Sequence, residues 1–348
     1  MFKTLKDFNV EGKKVLVRCD FNVPVGDRGE ILDDFRIKKS LPTIKYLIEN
    51  QAKIILMSHL GEPGGKVIEN LKMDKVAERL SEYLGISIEK ESDCIGPEVE
   101  YVAGELEKGK VLLLENLRFH AEEKENDLEF ARRLSGLGEM YVNEAFSVDH
   151  RAHASLAGVP NFLPNCAGIL LEKEITALNK IIKNPSKPMV ALVGGTKVET
   201  KTKFINKISE KSDMVMVSGL IKKEIDEKKI NLRYPEKIMG PNGALDALDI
   251  NKESAKLFAD RILTAKTVLW NGPFGKFEDK AYAKGSLVIA KAIIKSKAFS
   301  VVGGGETVEF IEKQGIIDKF SHVSTGGGAM LSYLSGDELP GIKALEKK

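Results

Sequence analysis

Short, uninterrupted apolar runs alternate along this chain with longer stretches in which apolar residues recur every three or four positions. The runs fall at 14–18, 53–58, 111–115, 140–143, 189–194, 213–218, 267–271, 299–303 and 322–325. They lack the alternation of a half-exposed strand and are flanked by Gly, Pro or Asn, which predicts strands covered on both faces, as in a parallel sheet. Stretches with a helical period lie between them, at 36–50, 73–84, 127–137, 172–183, 201–211, 254–263, 283–295 and 307–314. Strands and helices in alternation predict a doubly wound α/β fold.

The pattern is interrupted near its middle. Gly158, Pro160, Pro164, Pro185 and Pro188 bracket a helix-like segment at 168–183. This predicts two domains joined by a linker helix, and 348 residues suffice for two sizeable cores. Composition adds mainly exclusions. Lys and Arg number 53 against 51 Asp and Glu, a net charge of +2, so the broad basic field of a nucleic-acid or anionic-membrane binder is absent. Cys19, Cys94 and Cys166 are odd in number and lack a C-x-x-C spacing, which argues against a disulfide framework or a thiolate zinc site and for a reducing compartment. The first residues lack the apolar core of a signal peptide, and no later run approaches the ~18 apolar residues of a membrane span. The expectation is a soluble cytoplasmic protein that binds neither nucleic acid nor membrane.

Candidate chemistry collects at the carboxyl ends of the predicted strands, where open α/β sheets bind ligands. In the first half these positions carry Asp20, Asn22, Arg36, His59, Arg118 and Arg151. Guanidinium groups converging from several strand ends suit a small multivalent anion. His150 and His153 lack the acidic or Cys partners of a zinc site. In the second half the same positions carry glycine-rich turns: Gly194-Gly195-Thr196-Lys197, Gly303-Gly304-Gly305-Glu306-Thr307 and Gly326-Gly327-Gly328. Such turns let a polyphosphate approach backbone N–H groups at helix N-termini, and Lys197 can meet a transferring phosphoryl group. Neither a Walker A nor a G-x-G-x-x-G fingerprint occurs. Glu306 is the candidate magnesium carboxylate. Two phosphate-handling sites on two domains point to phosphoryl transfer.

Taken together, VLVRCDFNVP (15–24), SHLGEP (58–63), LLLENLRFHAEEKEND (112–127), YVNEAFSVDHRAHAS (141–155), ALVGGTKV (191–198), VLWNGPFGKFE (268–278), VVGGGET (301–307) and HVSTGGGAMLSYLSGDELPGI (322–342) resemble the phosphoglycerate kinase family, in the family's order and over nearly the whole chain. The resemblance implies two Rossmann-like domains with parallel sheets that close about a hinge helix. It places a phosphoglycerate-binding domain at 1–167 with the tail 335–348 packed back on it, an interdomain helix at 168–184, and a nucleotide-binding domain at 185–334. It also implies reversible phosphoryl transfer from 1,3-bisphosphoglycerate to MgADP in glycolysis and gluconeogenesis, by a monomer. Asp20, Asn22, Arg36, His59, Arg118 and Arg151 would hold the phosphoglycerate. Gly194, Gly195, Thr196, Lys197, Lys201, Gly219, Asn271, Pro273, Glu278, Gly303, Gly304, Gly305, Glu306 and Thr307 would line the nucleotide site. Arg36, Lys197, Gly326 and Gly327 would act on the transferring group.

The chain departs from that family at several positions. Glu62 stands where the family has Arg, Glu306 where it has Asp, and Lys276 where an apolar residue packs near the nucleoside. Ser218-Gly219-Leu220 replaces a G-G-M segment, and the connection over 219–250 is shortened, with Leu220, Ile221 and Phe274 as apolar candidates to fill the gap. These departures predict looser base recognition. They also admit an alternative, a phosphoglycerate-binding homologue with a degenerate nucleotide site and little kinase activity.

Overall fold

A computed structural model describes residues 2–195 and 201–346, and in it the chain forms two compact units, Met1–Lys173 with Glu338–Lys348 and Glu174–Asp337. In the first unit the strands are β1 (Lys14–Arg18), β2 (Lys53–Met57), β3 (Glu89–Lys90), β4 (Val111–Leu113), β5 (Met140–Asn143) and β6 (Asn165–Ala167). Its helices are α1 (Phe35–Glu49), α2 (Asp74–Leu84), α3 (Pro97–Glu105), α4 (Glu122–Glu125) and α5 (Leu128–Ser135). Helix α6 (Ile169–Ile182) contains the boundary between the units.

The second unit has β7 (Met189–Val193), β8 (Met214–Val217), β9 (Ile238–Met239), β10 (Thr267–Asn271), β11 (Phe299–Gly303) and β12 (His322–Val323). Between them run α7 (Thr202–Lys211), α8 (Gly219–Glu227), α9 (Lys252–Ile262), α10 (Lys284–Ser296), α11 (Gly305–Lys313) and α12 (Gly327–Leu334), and the short α13 (Pro340–Leu345) returns to the first unit.

Each unit is a six-stranded sheet, and every named strand pair is parallel. The central strands are buried along nearly their whole length, as uninterrupted apolar runs require when helices cover both faces. In the first unit the order is β3-β4-β2-β1-β5-β6; in the second it is β12-β11-β10-β7-β8-β9. The second order is that of dinucleotide-binding folds, whereas the first moves one strand inward. In both, the first strand of the unit is central and the chain winds away from it in two directions. The resulting crevices open beside β1 and β5 in one unit, and beside β7 and β10 in the other, where register pairs Leu269 with Ala191.

Local chemistry sets the helix starts. The Asp127 side chain accepts from Phe130 N at 2.7 Å to begin α5, and Asn251 accepts from Ser254 N at 2.8 Å to begin α9. Beneath the crevice of the second unit, Trp270 is fully buried against Phe310 and Phe320, and its indole N–H donates to Gly272 O at 2.8 Å. The shortened connection still supplies α8 and the edge strand β9.

Candidate active site

In the first unit two loops are clamped before any side chain of the anion cluster is placed. Asn116 accepts from Leu60 N (3.2 Å) and Arg118 N (3.1 Å) and donates to Leu60 O (2.7 Å) and Leu71 O (3.0 Å). One buried amide thus locks the turn after β2, which carries His59, to the turn after β4, which carries Arg118. Asn22 extends the clamp by accepting from Gly61 N at 2.8 Å.

Five of the six side chains expected in this half are joined in one network, and His59 lies close enough to feel the charges of Arg118 and Arg36. Arg36 pairs with Asp20 at 2.8 Å and donates to Asn22 O at 2.9 Å, while Asp20 also accepts from Asn22 N and from the Ser147 hydroxyl. Arg118 donates through Nη1 to Gly61 O and to Glu62, each at 2.8 Å, and Arg151 reaches the same Glu62 carboxylate at 3.4 Å. Arg118 is buried, yet its Nε and Nη2 have no hydrogen-bond partner among the described residues. A planar pair of buried, unused N–H groups is the fork geometry that binds a carboxylate or phosphate. Burial pushes the Arg118 guanidinium down to about 10, so it stays charged at neutral pH.

His59 shows how the surroundings choose a protonation state. Burial, then the charges of Arg18, Arg118 and Arg36, hold its imidazole well below the usual range, so the ring is neutral. Its Nδ1 lies 3.2 Å from Arg18 Nη2. A guanidinium only donates, so Nδ1 accepts and the proton sits on Nε2. That Nε2–H is buried without a partner among the described residues. It is a neutral donor in an anion cluster. His153 is likewise pushed down, to about 3, by burial and then by the charges of Arg18, Arg118 and Arg151, so its 3.8 Å approach to Glu123 is not an ion pair at neutral pH.

Arg18 is the residue that the sequence pattern concealed. It reads there as the polar end of a strand, but its side chain is fully buried, donating to Ser155 Oγ at 2.7 Å and to Cys19 O, and lying 3.7 Å from the buried Glu123. A charged residue closing an apolar strand whose neighbours are all covered was the available signal. Its work is to fix His59. Ser147 and Asn116, equally buried, carried no signal beyond their place in strand-end loops.

In the second unit the cluster is made mostly of backbone. The turns after β7 and β10 lie against each other: Gly194 N donates to Asn271 O at 2.8 Å and Gly195 N to Pro273 O at 3.1 Å. A Cβ on Gly194 would stand 2.1 Å from Pro273 O, and one on Gly272, whose φ is +92°, would stand 2.3 Å from Gly194 O. Only glycine permits this approach. Asn271 Nδ2 donates to Gly303 O at 3.0 Å and the Thr307 hydroxyl accepts from Gly272 N at 2.7 Å, tying in the turn after β11. The last turn, before α12, is held by the buried Glu174 of α6, which accepts from Thr325 N at 2.7 Å, from the Thr325 hydroxyl at 2.9 Å, and sits 2.7 Å from His322 Nε2.

Helices α11 and α12 therefore begin at glycines beside the crevice, with Gly305 and Glu306 exposed in the first turn of α11. Their free N–H groups and dipoles favour an anion there. Lys201 donates to Gly194 O, and burial lowers its ammonium from the ordinary value against the opposing pull of Glu306. Thr196 and Lys197 lie outside the described residues.

Two expected positions sit differently from this cluster. Gly219 opens α8 and packs against the backbone of Leu245. Glu278 is exposed, and the charge that feels it is Lys313, in the last turn of α11. Of the apolar candidates near the shortened connection, Ile221 and Phe274 are core residues, Phe274 stacking edge-on against Phe258, and Leu220 is exposed.

A side-chain anion cluster on one open parallel sheet and glycine turns at helix N-termini on another define an α/β phosphotransferase of two such units. Comparison with known proteins specifies it further. The family model described as phosphoglycerate kinase matches residues 5–230 and 221–337. The chain is 42% identical to the phosphoglycerate kinase of Moorella thermoacetica and 41% identical to that of Pelotomaculum thermopropionicum, covering 99% of both partners in each case. Among solved structures, the phosphoglycerate kinase of Pyrococcus horikoshii OT3 matches with a TM-score of 0.89 at 33% identity over 99% of this chain and 98% of that one. The enzyme of Coxiella burnetii matches at 0.85 and 32% over 100% and 99%. The chain belongs to the phosphoglycerate kinase family, and the alternative of a homologue with little kinase activity is not favoured.

Proposed function

We propose that this chain transfers a phosphoryl group reversibly between the acyl phosphate of 1,3-bisphosphoglycerate and ADP, giving 3-phosphoglycerate and ATP, as a monomer in the cytoplasm. The observation that carries the reading is the unused fork of Arg118 in a network that joins Asp20, Asn22, Arg36 and, through Glu62, Arg151, with the unused Nε2–H of His59 in the same unit. In this reading residues 1–167 and 335–348 bind the phosphoglycerate, 168–184 connect, and 185–334 bind the nucleotide. Arg118, Arg151 and the Nε2–H of His59 hold the anionic groups of the three-carbon acid. Asp20 and Asn22 orient Arg36. Gly194, Gly195, Thr196, Lys197 and Lys201, with the turns at Gly303–Thr307 and Gly326–Gly327, receive the nucleotide phosphates. Asn271, Pro273 and Glu278 are assigned to the nucleoside side.

The acyl phosphate is already activated, so no covalent nucleophile is needed. In reverse the carboxylate of 3-phosphoglycerate itself attacks. Arg36, Lys197 and the N–H groups of Gly326 and Gly327 stabilise charge on the transferring group. Glu306, an exposed carboxylate at a helix N-terminus beside Lys201, suits a hard cation that takes one or two carboxylates together with substrate phosphates. Magnesium held there would neutralise phosphate charge.

Steady-state turnover with 3-phosphoglycerate and MgATP, coupled to reduction of the bisphosphoglycerate formed, tests the reading. The parent should turn over, and Lys197→Ala should lose roughly 100-fold or more, the scale of a lost oxyanion donor. A parent no faster than Lys197→Ala would refute it.

A further inference from the structure

Glu62 is the anomaly of the anion cluster. Its Oε1 accepts from Arg118 Nη1 at 2.8 Å and from Arg151 Nη1 at 3.4 Å, and its Oε2 accepts from Lys124 Nζ at 3.1 Å. One carboxylate therefore rests on both guanidiniums that the functional reading assigns to the substrate. Its backbone is fixed from the preceding residue: Gly61 N donates to Asn22 and Gly61 O accepts from Arg118. Its side chain is not enclosed, being 56% exposed where that of Arg118 is 1% exposed. Partial burial works against its ionisation, but the Lys124 ammonium and the Arg118 charge hold its carboxyl below the usual range, so it is an anion at neutral pH.

We propose that Glu62 is a tethered internal competitor, a carboxylate that engages Arg118 through Nη1, holds Arg151 in place of substrate and lowers the affinity of the phosphoglycerate site. The inference rests on the functional reading above. An incoming phosphate or carboxylate that takes the Nε and Nη2 fork of Arg118 meets Glu62 across the same guanidinium, and like charges at that separation repel. Being part of the chain, Glu62 acts at a high effective concentration, so free anion must outcompete it at every binding event. Its hold on Arg151 is long and on the surface, where ion pairs are weak. Arg151 is the arm that changes partner, while Arg118 stays seated in the fold.

Calorimetric titration of the full chain with 3-phosphoglycerate, repeated with inorganic phosphate as a second probe, separates the possibilities. Glu62→Gln keeps the shape and removes the charge, and Glu62→Ala removes the side chain. Both should bind 3-phosphoglycerate about 5- to 30-fold more tightly than the parent, with a gap that narrows as salt screens the charges. Glu78→Gln, which removes an exposed carboxylate paired with Lys75 on α2, controls for net charge and should leave the affinity unchanged. Equal or weaker binding by both Glu62 variants, with a parent that binds, overturns the inference alone and makes Glu62 an orienting partner of the arginines. If neither parent nor variants bind 3-phosphoglycerate, the functional reading falls and the inference with it.

Discussion

In the proposed function the two crevices solve one problem, holding phosphate at the end of a parallel sheet, with different materials. The first unit uses side chains: three arginines and a neutral histidine, each tied to a carboxylate, an amide or another cation. The second uses backbone, with turns pressed together so closely that Gly194 and Gly272 have no room for a Cβ. A small compact acid with charge at both ends needs donors arranged around it, which long guanidinium side chains provide. A polyphosphate chain needs a row of donors along its length, which successive N–H groups at helix N-termini provide. The difference predicts opposite sensitivities: the first site fails by losing a side chain, the second by gaining one.

Among substitutions that remove no charge, the largest expected effect belongs to the second site. Gly194→Ala pushes a Cβ into Pro273 O and must separate the turns after β7 and β10, so affinity for ADP should fall at least ~30-fold, the upper range of overpacking costs, while 3-phosphoglycerate binding stays within about two-fold. Calorimetry with each ligand reads this, and nucleotide affinity unchanged in Gly194→Ala would break the comparison. Next, Arg118→Lys keeps the charge but removes the fork; the Michaelis constant for 3-phosphoglycerate should rise about ten-fold, in line with loss of one charged hydrogen bond. Full retention of affinity would mean that charge alone, not geometry, recognises the acid.

A smaller effect concerns pH. Asp149, buried beside the anion cluster with one oxygen accepting from Asn143 Nδ2 at 2.7 Å and the other without a partner among the described residues, is pushed up by burial to about 7 from 3.8. A raised acid binds its proton more tightly when folded, so its contribution is complete below pH 3.8 and is lost as pH rises to about 7. Asp149→Asn should therefore gain stability relative to the parent across that window and hold a constant advantage above it, as urea titrations at several pH values would show. A pH-independent difference would place the proton elsewhere. The smallest effect is base selectivity: with the connection after β8 shortened, turnover with ATP, GTP and ITP should agree within about five-fold, a range set by contacts to the base alone. A strong preference for ATP would show that α8 and the residues after it still form a full base pocket.

Much of the fold was written in the apolar runs, because a strand covered on both faces has no polar position to blur it. The central strands stand where those runs predict. Three strands were not legible, β3 and β9 at two residues each and β6 at three, because they are too brief for any period to register; the nine-residue helices α3 and α8 were not predicted either. Helix α1 continues through Pro42, against the usual cost of an interior proline, because Ile37, Thr43, Ile44 and Leu47 are buried along one face. In the candidate site, residue type at strand ends picked out side chains that the structure brings together in the first unit, since the switch-point geometry of α/β sheets is general. The partners behind these side chains were harder to read. The apolar strand that Arg18 closes hints at its burial, but nothing in the sequence says that it fixes the His59 tautomer, or that Glu62 lies across Arg118 and Arg151, because both depend on which loops Asn116 ties together.

In the proposed function the side-chain site takes the acid and the backbone site takes the nucleotide. Titration of Arg118→Ala with 3-phosphoglycerate and, separately, with MgADP decides between this division and a shared site. Affinity for 3-phosphoglycerate should fall about 100-fold or more, the loss of two charged hydrogen bonds from a buried fork, while MgADP binds as in the parent. Equal losses for both ligands, or 3-phosphoglycerate binding unaltered, would contradict it.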